Sequence, residues 1–256
     1  MAAKTLIGTS GWHYKHWIGN FYPKEIRVSE MLSFYARYFD TVELNNTFYQ
    51  LPVSTTVDSW RNNSPSSFCF AVKASRFITH MKKLRDPENS TRRFFSGVTE
   101  QLGPKIGPIL FQLPPRWPVN LERLATFLSS LTPEYKYAFE FRDKSWLTTE
   151  VFDLLRKHNA ALCIHDLGNE ETPREITSDF TYLRFHGPQA AKYNGSYSFS
   201  QLETWAQQIE SWSAKLAAIY VYFNNDVGGW AVSNALQLQQ LVDQKREVSM
   251  LPRSSF

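Results

Sequence analysis

At 256 residues, 43% hydrophobic and 20% charged, the chain is long enough to bury one large core and has the composition of an ordinary globular protein. Its net charge of +4 suits an anionic small molecule, falls short of the basic stripe of a dedicated nucleic-acid binder, and accompanies no apolar run of transmembrane length. The opening Met1-Ala-Ala-Lys-Thr5 leaves no room for a signal peptide, and Cys69 and Cys163, in strand-like runs far apart, read as reduced core residues of a cytoplasmic protein.

Extended and helical patterns alternate along the chain. Residues 6–12 read as a first strand. A helix follows over 29–38, with Ser29 as N-cap and Met31, Leu32, Tyr35 and Phe39 at helical spacing. Strand two covers 41–46, a helix 56–62 and strand three 68–75. A loop of little periodicity over 76–89 leads to a helix at 91–102. Strand four, 107–113, ends at Pro114-Pro115, and the next helix starts at Asn120 and buries Leu121, Leu124, Leu128 and Leu131. Strand five begins at Tyr137 and is followed by a helix over 149–158 and strand six over 161–166. The segment 167–179 is polar and holds Pro173, which argues against a long helix there. Strand seven is 180–187. Ser200-x-x-Glu203 reads as a capping box that opens a helix burying Leu202, Trp205, Ile209 and Trp212. Strand eight is 218–226, the last helix is 229–242, and a frayed tail is expected from about 244. Eight strands with crossovers and no linker favour a single α/β domain over 1–256, a (β/α)8 TIM-type barrel with an irregular connection between strands six and seven. An open doubly wound sheet is the alternative.

Strand parity gathers one set of polar residues. Side chains alternate between the faces of a strand. If the apolar face of each strand meets the helices, then Glu43 and Asn45, Lys73, Gln112, Glu140 and Arg142, His165, Arg184 and His186, and Asn224 all point inward. Asp166 and Asp226 sit at strand tips. Barrel interiors are normally layered with branched apolar residues, so this convergence points to a pocket at the C-terminal mouth.

The runs Gly8-Thr-Ser-Gly-Trp-His-Tyr-Lys-His-Trp-Ile-Gly-Asn-Phe-Tyr-Pro23 and Thr41-Val-Glu-Leu-Asn-Asn-Thr-Phe-Tyr49 resemble the YecE-like family, the domain of unknown function seventy-two. So do Phe70-Ala-Val-Lys73 with Ile78-Thr-His80, Leu110-Phe-Gln-Leu-Pro-Pro115, and Phe139-Glu-Phe-Arg142 with Ser145-Trp146. Tyr182-Leu-Arg-Phe-His-Gly187 and Val221-Tyr-Phe-Asn-Asn-Asp226 complete the match. The resemblance implies a TIM-type barrel and leaves the reaction to the residues.

Those residues favour a hydrolase or lyase acting on a small anionic, phosphorylated or acidic, ring-containing substrate. Glu43 and Glu140 are the candidate acid/base carboxylates and His186 the proton shuttle. Lys73, Arg142 and Arg184 form the expected anion clamp, and Asn45, Gln112, Asn224, Asp226, Trp12 and Trp146 complete the binding set. Gly187 and Gly228-Gly229 are placed where backbone amides could approach an anion, or are simple turn residues. His13 and His16 have only a surface reading.

No cofactor is called for. A divalent metal on Glu43, Glu140, Asp166, His186 and Asp226 remains an alternative, as in barrel endonucleases or sugar isomerases, although three neighbouring cations favour an anion instead. A non-catalytic nucleotide or nucleic-acid binding module is the other alternative. A membrane partner is not expected, and the sequence is silent on oligomeric state and on whether His165 and Asp166 belong to the site.

Overall fold

The computed structural model describes residues 3–167, 170–189 and 193–250. The strands are β1 (Lys4–Thr9), β2 (Thr41–Leu44), β3 (Cys69–Lys73), β4 (Ile106–Gln112), β5 (Tyr137–Glu140), β6 (Ala161–Leu167), β7 (Glu170–Glu171), β8 (Phe180–Phe185) and β9 (Ala218–Phe223). β7 folds back antiparallel on the end of β6, and this is the irregular connection the polar segment predicts. The other eight run parallel in the order β1-β9-β8-β6-β5-β4-β3-β2, with helices between them, as a nearly closed (β/α)8 TIM-type barrel.

The helices are α1 (Met31–Tyr35), α2 (Asn46–Tyr49), α3 (Ser54–Asn62), α4 (Pro87–Phe94), α5 (Glu100–Leu102), α6 (Leu121–Ser130), α7 (Thr149–Lys157), α8 (Phe199–Ser213) and α9 (Trp230–Met250). Among the described residues, none is long and apolar enough to cross a membrane.

Parity sorts the core into two layers. Ala71, Ala138 and Ala161 pack inside the barrel with Tyr182, Tyr220 and Tyr222, small residues making room for large ones. Val42, Phe70, Ile109, Phe111, Phe139 and Val221 face the helices in a separate, larger cluster.

β1 and β2 lie side by side, but no backbone ladder joins them among the described residues. The Tyr35 hydroxyl, reaching in from α1, accepts a hydrogen bond from Thr9 N at 3.0 Å and donates to Thr41 O at 3.1 Å. It also meets Thr9 Oγ1 at 2.9 Å. A side chain therefore satisfies backbone groups that a ladder would otherwise pair. Glycine is required beside it, because a Cβ on Gly8 would fall 2.3 Å from Thr41 O.

Several expectations are corrected. Ser29 lies inside a 3-10 turn, Val28–Glu30, which Arg27 and Glu30 cap, and α1 ends at Tyr35. The loop over 76–89 contains a π-helical turn, Phe77–Met81, and α4 starts early because Pro87 suits a first helical turn. Asn120 does cap α6, its Oδ1 accepting from Arg123 N at 2.8 Å, but Leu121 is exposed. The box opening α8 is Ser198 with Gln201, not Ser200 with Glu203: Ser198 has the extended backbone a cap needs. α9 continues to Met250, with Arg246 donating to Ala3 O and Thr5 Oγ1. The tail expected from about 244 is thus helical as far as Met250, and its remainder lies outside the described residues.

Candidate functional site

The strand ends carry a closed, charge-balanced floor. Arg184, on β8, donates through Nη2 to Glu43 Oε1 at 2.8 Å and through Nη1 to Glu140 Oε2 at 2.6 Å. Arg142 pairs with the other oxygen of Glu140. Glu43 also accepts from Ser10 Oγ and from the Tyr182 hydroxyl, both at 2.6 Å. Glu43, Glu140 and Arg184 are fully buried. Burial raises the proton affinity of Glu140, but the Arg142 and Arg184 guanidiniums outweigh it and hold the carboxyl well below its ordinary range. Two arginines against two glutamates leave no net charge, which is what makes such a cluster tolerable inside a barrel.

His186 sits above this floor with both ring nitrogens engaged. Arg142 Nη2 lies 3.0 Å from Nε2, and Asn224 Nδ2 lies 3.1 Å from Nδ1. An arginine only donates, so Nε2 accepts and the proton resides on Nδ1. The Asn224 amide must then turn its oxygen toward Nδ1, a flip that heavy-atom positions do not distinguish. Burial, joined by Arg184, pushes the imidazole well below its ordinary value, so it is neutral.

The neighbouring residues of β6 bond to other parts of the barrel. His165 is buried, bonds Thr172 at 2.8 Å and is pushed by burial down to about 4. Asp166 accepts from His186 N at 2.9 Å and from the Tyr197 hydroxyl at 2.5 Å, and so fastens the loop after β8.

Over the floor opens a cavity of about 780 Å³, lined among others by Tyr14, His16, Asn45, Lys73, Asn224 and Asp226. Lys73 is half-buried at the end of β3, with its ammonium 4.3 Å from the Phe48 ring centroid. Among the described residues its Nζ has no ion pair and no hydrogen bond, unlike Arg142 and Arg184. Burial, with Arg184 adding to it, pulls Lys73 down to about 8.

Asp226 faces the same cavity. Its Oδ1 accepts from the Trp17 indole at 2.7 Å and its Oδ2 lies 2.9 Å from His16 Nε2. Burial raises its proton affinity. His16, 48% exposed, is therefore an accessible imidazole oriented by a carboxylate. Sequence reading missed this pair because the partners stand 210 positions apart.

A second cavity of about 350 Å³ adjoins the first. Its lining includes Trp12, His13, Glu43 and Trp60, and it shares Tyr14 and Asn45 with its neighbour. Trp146, by contrast, is fully buried, stacked on Phe141 and donating to Trp117 O, and lines neither mouth cavity. Gln112 is half-buried in register with Glu140 and lines neither. Gly187 gives its amide to the Tyr197 hydroxyl, and a Cβ there would meet Asn194 O at 2.2 Å, so packing explains it. Gly228 does line the larger cavity.

The donor set does not fit a divalent cation. Among the described residues no group of three His, Cys, Asp or Glu could hold one. The oxygens of Glu140 are engaged by guanidiniums, those of Glu43 by Arg184, Ser10 and Tyr182, and those of Asp226 by an indole and an imidazole.

Comparison with known proteins gives a consistent picture. Residues 6–255 match the family described as "Protein of unknown function DUF72". UPF0759 protein YunF of Bacillus subtilis is 27% identical over 268 residues, spanning 93% of this chain and 94% of that one. UPF0759 protein YecE of Escherichia coli K12 is 36% identical over 123 residues, 47% of this chain and 45% of that one. The crystal structure of a DUF72 family protein from Thermotoga maritima superposes with a TM-score of 0.84 at 28% identity, covering 94% of this chain and 99% of that one. One from Enterococcus faecalis, at 19% identity and a TM-score of 0.73 over 93% of this chain and 95% of that one, shares the fold.

Proposed function

The chain belongs to the DUF72 family, and from that premise and the geometry of the mouth we propose an acid/base enzyme, of hydrolase or lyase type, acting on a small anionic, ring-containing substrate. One observation carries the reading: Lys73 presents a cation to a roomy cavity while the neighbouring arginines are already neutralised. In this reading the ammonium takes the phosphate or carboxylate of the substrate. Tyr14, Tyr49 and Tyr193, which also line the cavity, flank the ring. His16, oriented by Asp226, moves the proton. Glu43, Glu140, Arg142 and Arg184 serve as a fixed floor rather than as an anion clamp, and His186 positions Asn224, because their hydrogen-bonding groups are largely engaged by one another. Two free thiols fit a reducing compartment, so the site of action is the cytoplasm, with a small anion as partner rather than nucleic acid or membrane.

Calorimetric titration with inorganic phosphate, glucose 6-phosphate and glucuronate tests this. At least one binds the parent protein, and Lys73→Met weakens it by roughly tenfold or more, the order of one charge-assisted contact. Failure of every probe, or unchanged affinity in the variant, refutes it.

A further inference from the structure

The second cavity lies beside the first and shares two residues with it. Tyr14 and Asn45 line both, so they form the partition between two chambers of one cleft. The chambers differ in chemistry. The larger holds Lys73 and Arg184, whereas among the described residues the smaller is lined by no lysine or arginine. It is lined instead by the amides of Asn45 and Asn46, the Thr56 hydroxyl, His13 and the already paired Glu43. An indole stands among them: Trp12 is half-buried and held edge-on by Trp60 at 5.8 Å between ring centroids. The side-chain carbonyl of Asn45, at the partition, is buried and accepts no hydrogen bond from the described residues. Such an orphaned acceptor calls for a donor from elsewhere.

Acceptors, amides and one fixed aromatic face, without a cation, suit a neutral ring with many hydroxyl donors. A second anion would find no lysine or arginine among the described lining residues to receive it. We infer that the smaller cavity is a sugar-binding subsite, and that the substrate spans two units: an anionic ring at Lys73 and an uncharged, hydroxylated ring against Trp12. The inference rests on the anion reading of the larger cavity and deepens it. A hydroxyl near the junction of the two units donates to Asn45 Oδ1, and Tyr14 packs between them.

The test is calorimetric titration with glucose 6-phosphate, with disaccharides of differing linkage carrying one phosphate or one uronate carboxylate, and with a dinucleotide. A disaccharide phosphate or uronate binds about tenfold more tightly than the matching charged monosaccharide, the order of one added aromatic contact. Phosphate against uronate identifies the anion. Trp12→Ala erases that gain and leaves the monosaccharide affinity unchanged. Thr56→Trp, which fills the cavity from α3, does the same and stands in should Trp12→Ala fail to fold. Monosaccharide binding with no gain for any disaccharide, or equal weakening of both by Trp12→Ala, overturns the subsite and leaves the anion site standing. A larger gain for the dinucleotide than for every disaccharide overturns the sugar assignment. If no charged probe binds, the anion reading falls and the subsite with it.

Discussion

Replacing Arg184 by methionine would remove the guanidinium on which the floor is built. It bridges Glu43 and Glu140 at 2.8 and 2.6 Å, and all three side chains are shielded from water. Glu140 keeps Arg142, but Glu43 is left with two neutral donors, Ser10 and Tyr182. Removing one partner of a buried pair costs about 3–5 kcal/mol. Because Arg184 serves two carboxylates, the upper end applies, and at about 2–4 °C per kcal/mol for a chain of this size the melting point falls by about 10–20 °C. The loss depends on pH. Glu140 is depressed in the folded parent, so the stability it contributes is present above the unfolded carboxyl value, about 4.3, and is lost as pH falls through the lower folded value. In the variant Glu140 has lost one of its two guanidiniums and protonates at higher pH, so the gap to the parent is widest near neutrality and narrows in acid. Adding Glu43→Gln to Arg184→Met restores charge balance and recovers part of the loss. Urea denaturation at pH 7 and pH 4.5 measures all three chains. A loss below about 1 kcal/mol, the range of exposed pairs, or a gap that widens in acid, would show that the floor is not the buried, neutralised cluster described.

Lys73 gives a slope of the same sign in a higher pH window. Its folded value of about 8 lies below the unfolded value of about 10.4, so the unfolded chain binds more protons between them and stability rises with pH across that window. Lys73→Met abolishes this slope in denaturation melts, and phosphate affinity in the parent declines as pH climbs through 8. A parent slope equal to that of the variant would remove Lys73 from the argument. Tyr35→Phe deletes the hydroxyl between β1 and β2 and strands Thr9 N and Thr41 O. It should destabilise by about 1–3 kcal/mol in urea melts, with faster amide exchange at Thr9; an unchanged midpoint would mean that the strands pair without it.

Parity carried the sequence reading furthest. The alternation in 137–142 and 180–186 separates Phe139 and Leu183 from Glu140 and Arg184, and the two core layers divide along that line. The barrel and the identity of its inward residues were legible because period two is a local property. What those residues do to one another was not. Arg184 reads as a free cation until the fold brings it to Glu43, 141 positions away. His186 outranked His16 in sequence because it sits on a strand, yet the structure buries it and leaves His16 accessible. Trp146 follows a strand end as Trp12 does, but Phe141 and Trp117 close over it. Ser200 reads as the cap of α8, but the extended backbone that a cap needs falls two residues earlier, at Ser198. The misses at Arg184, His16 and Trp146 concern long-range meetings, which no local pattern encodes.

The joint between β1 and β2 gives the smaller chamber a mechanical setting. Gly11 to Tyr14 follow β1, and Glu43 to Asn46 run from the end of β2 into α2, so that chamber spans the β1/β2 joint, where no ladder pairs the strands among the described residues. A guest lodged there would bridge both lips of that joint, adding to the Tyr35 and Ser10–Glu43 bonds that cross it. Filling the chamber and stiffening the hoop would then be one event, and the looseness of a single joint would become the gauge of whether the mouth is occupied.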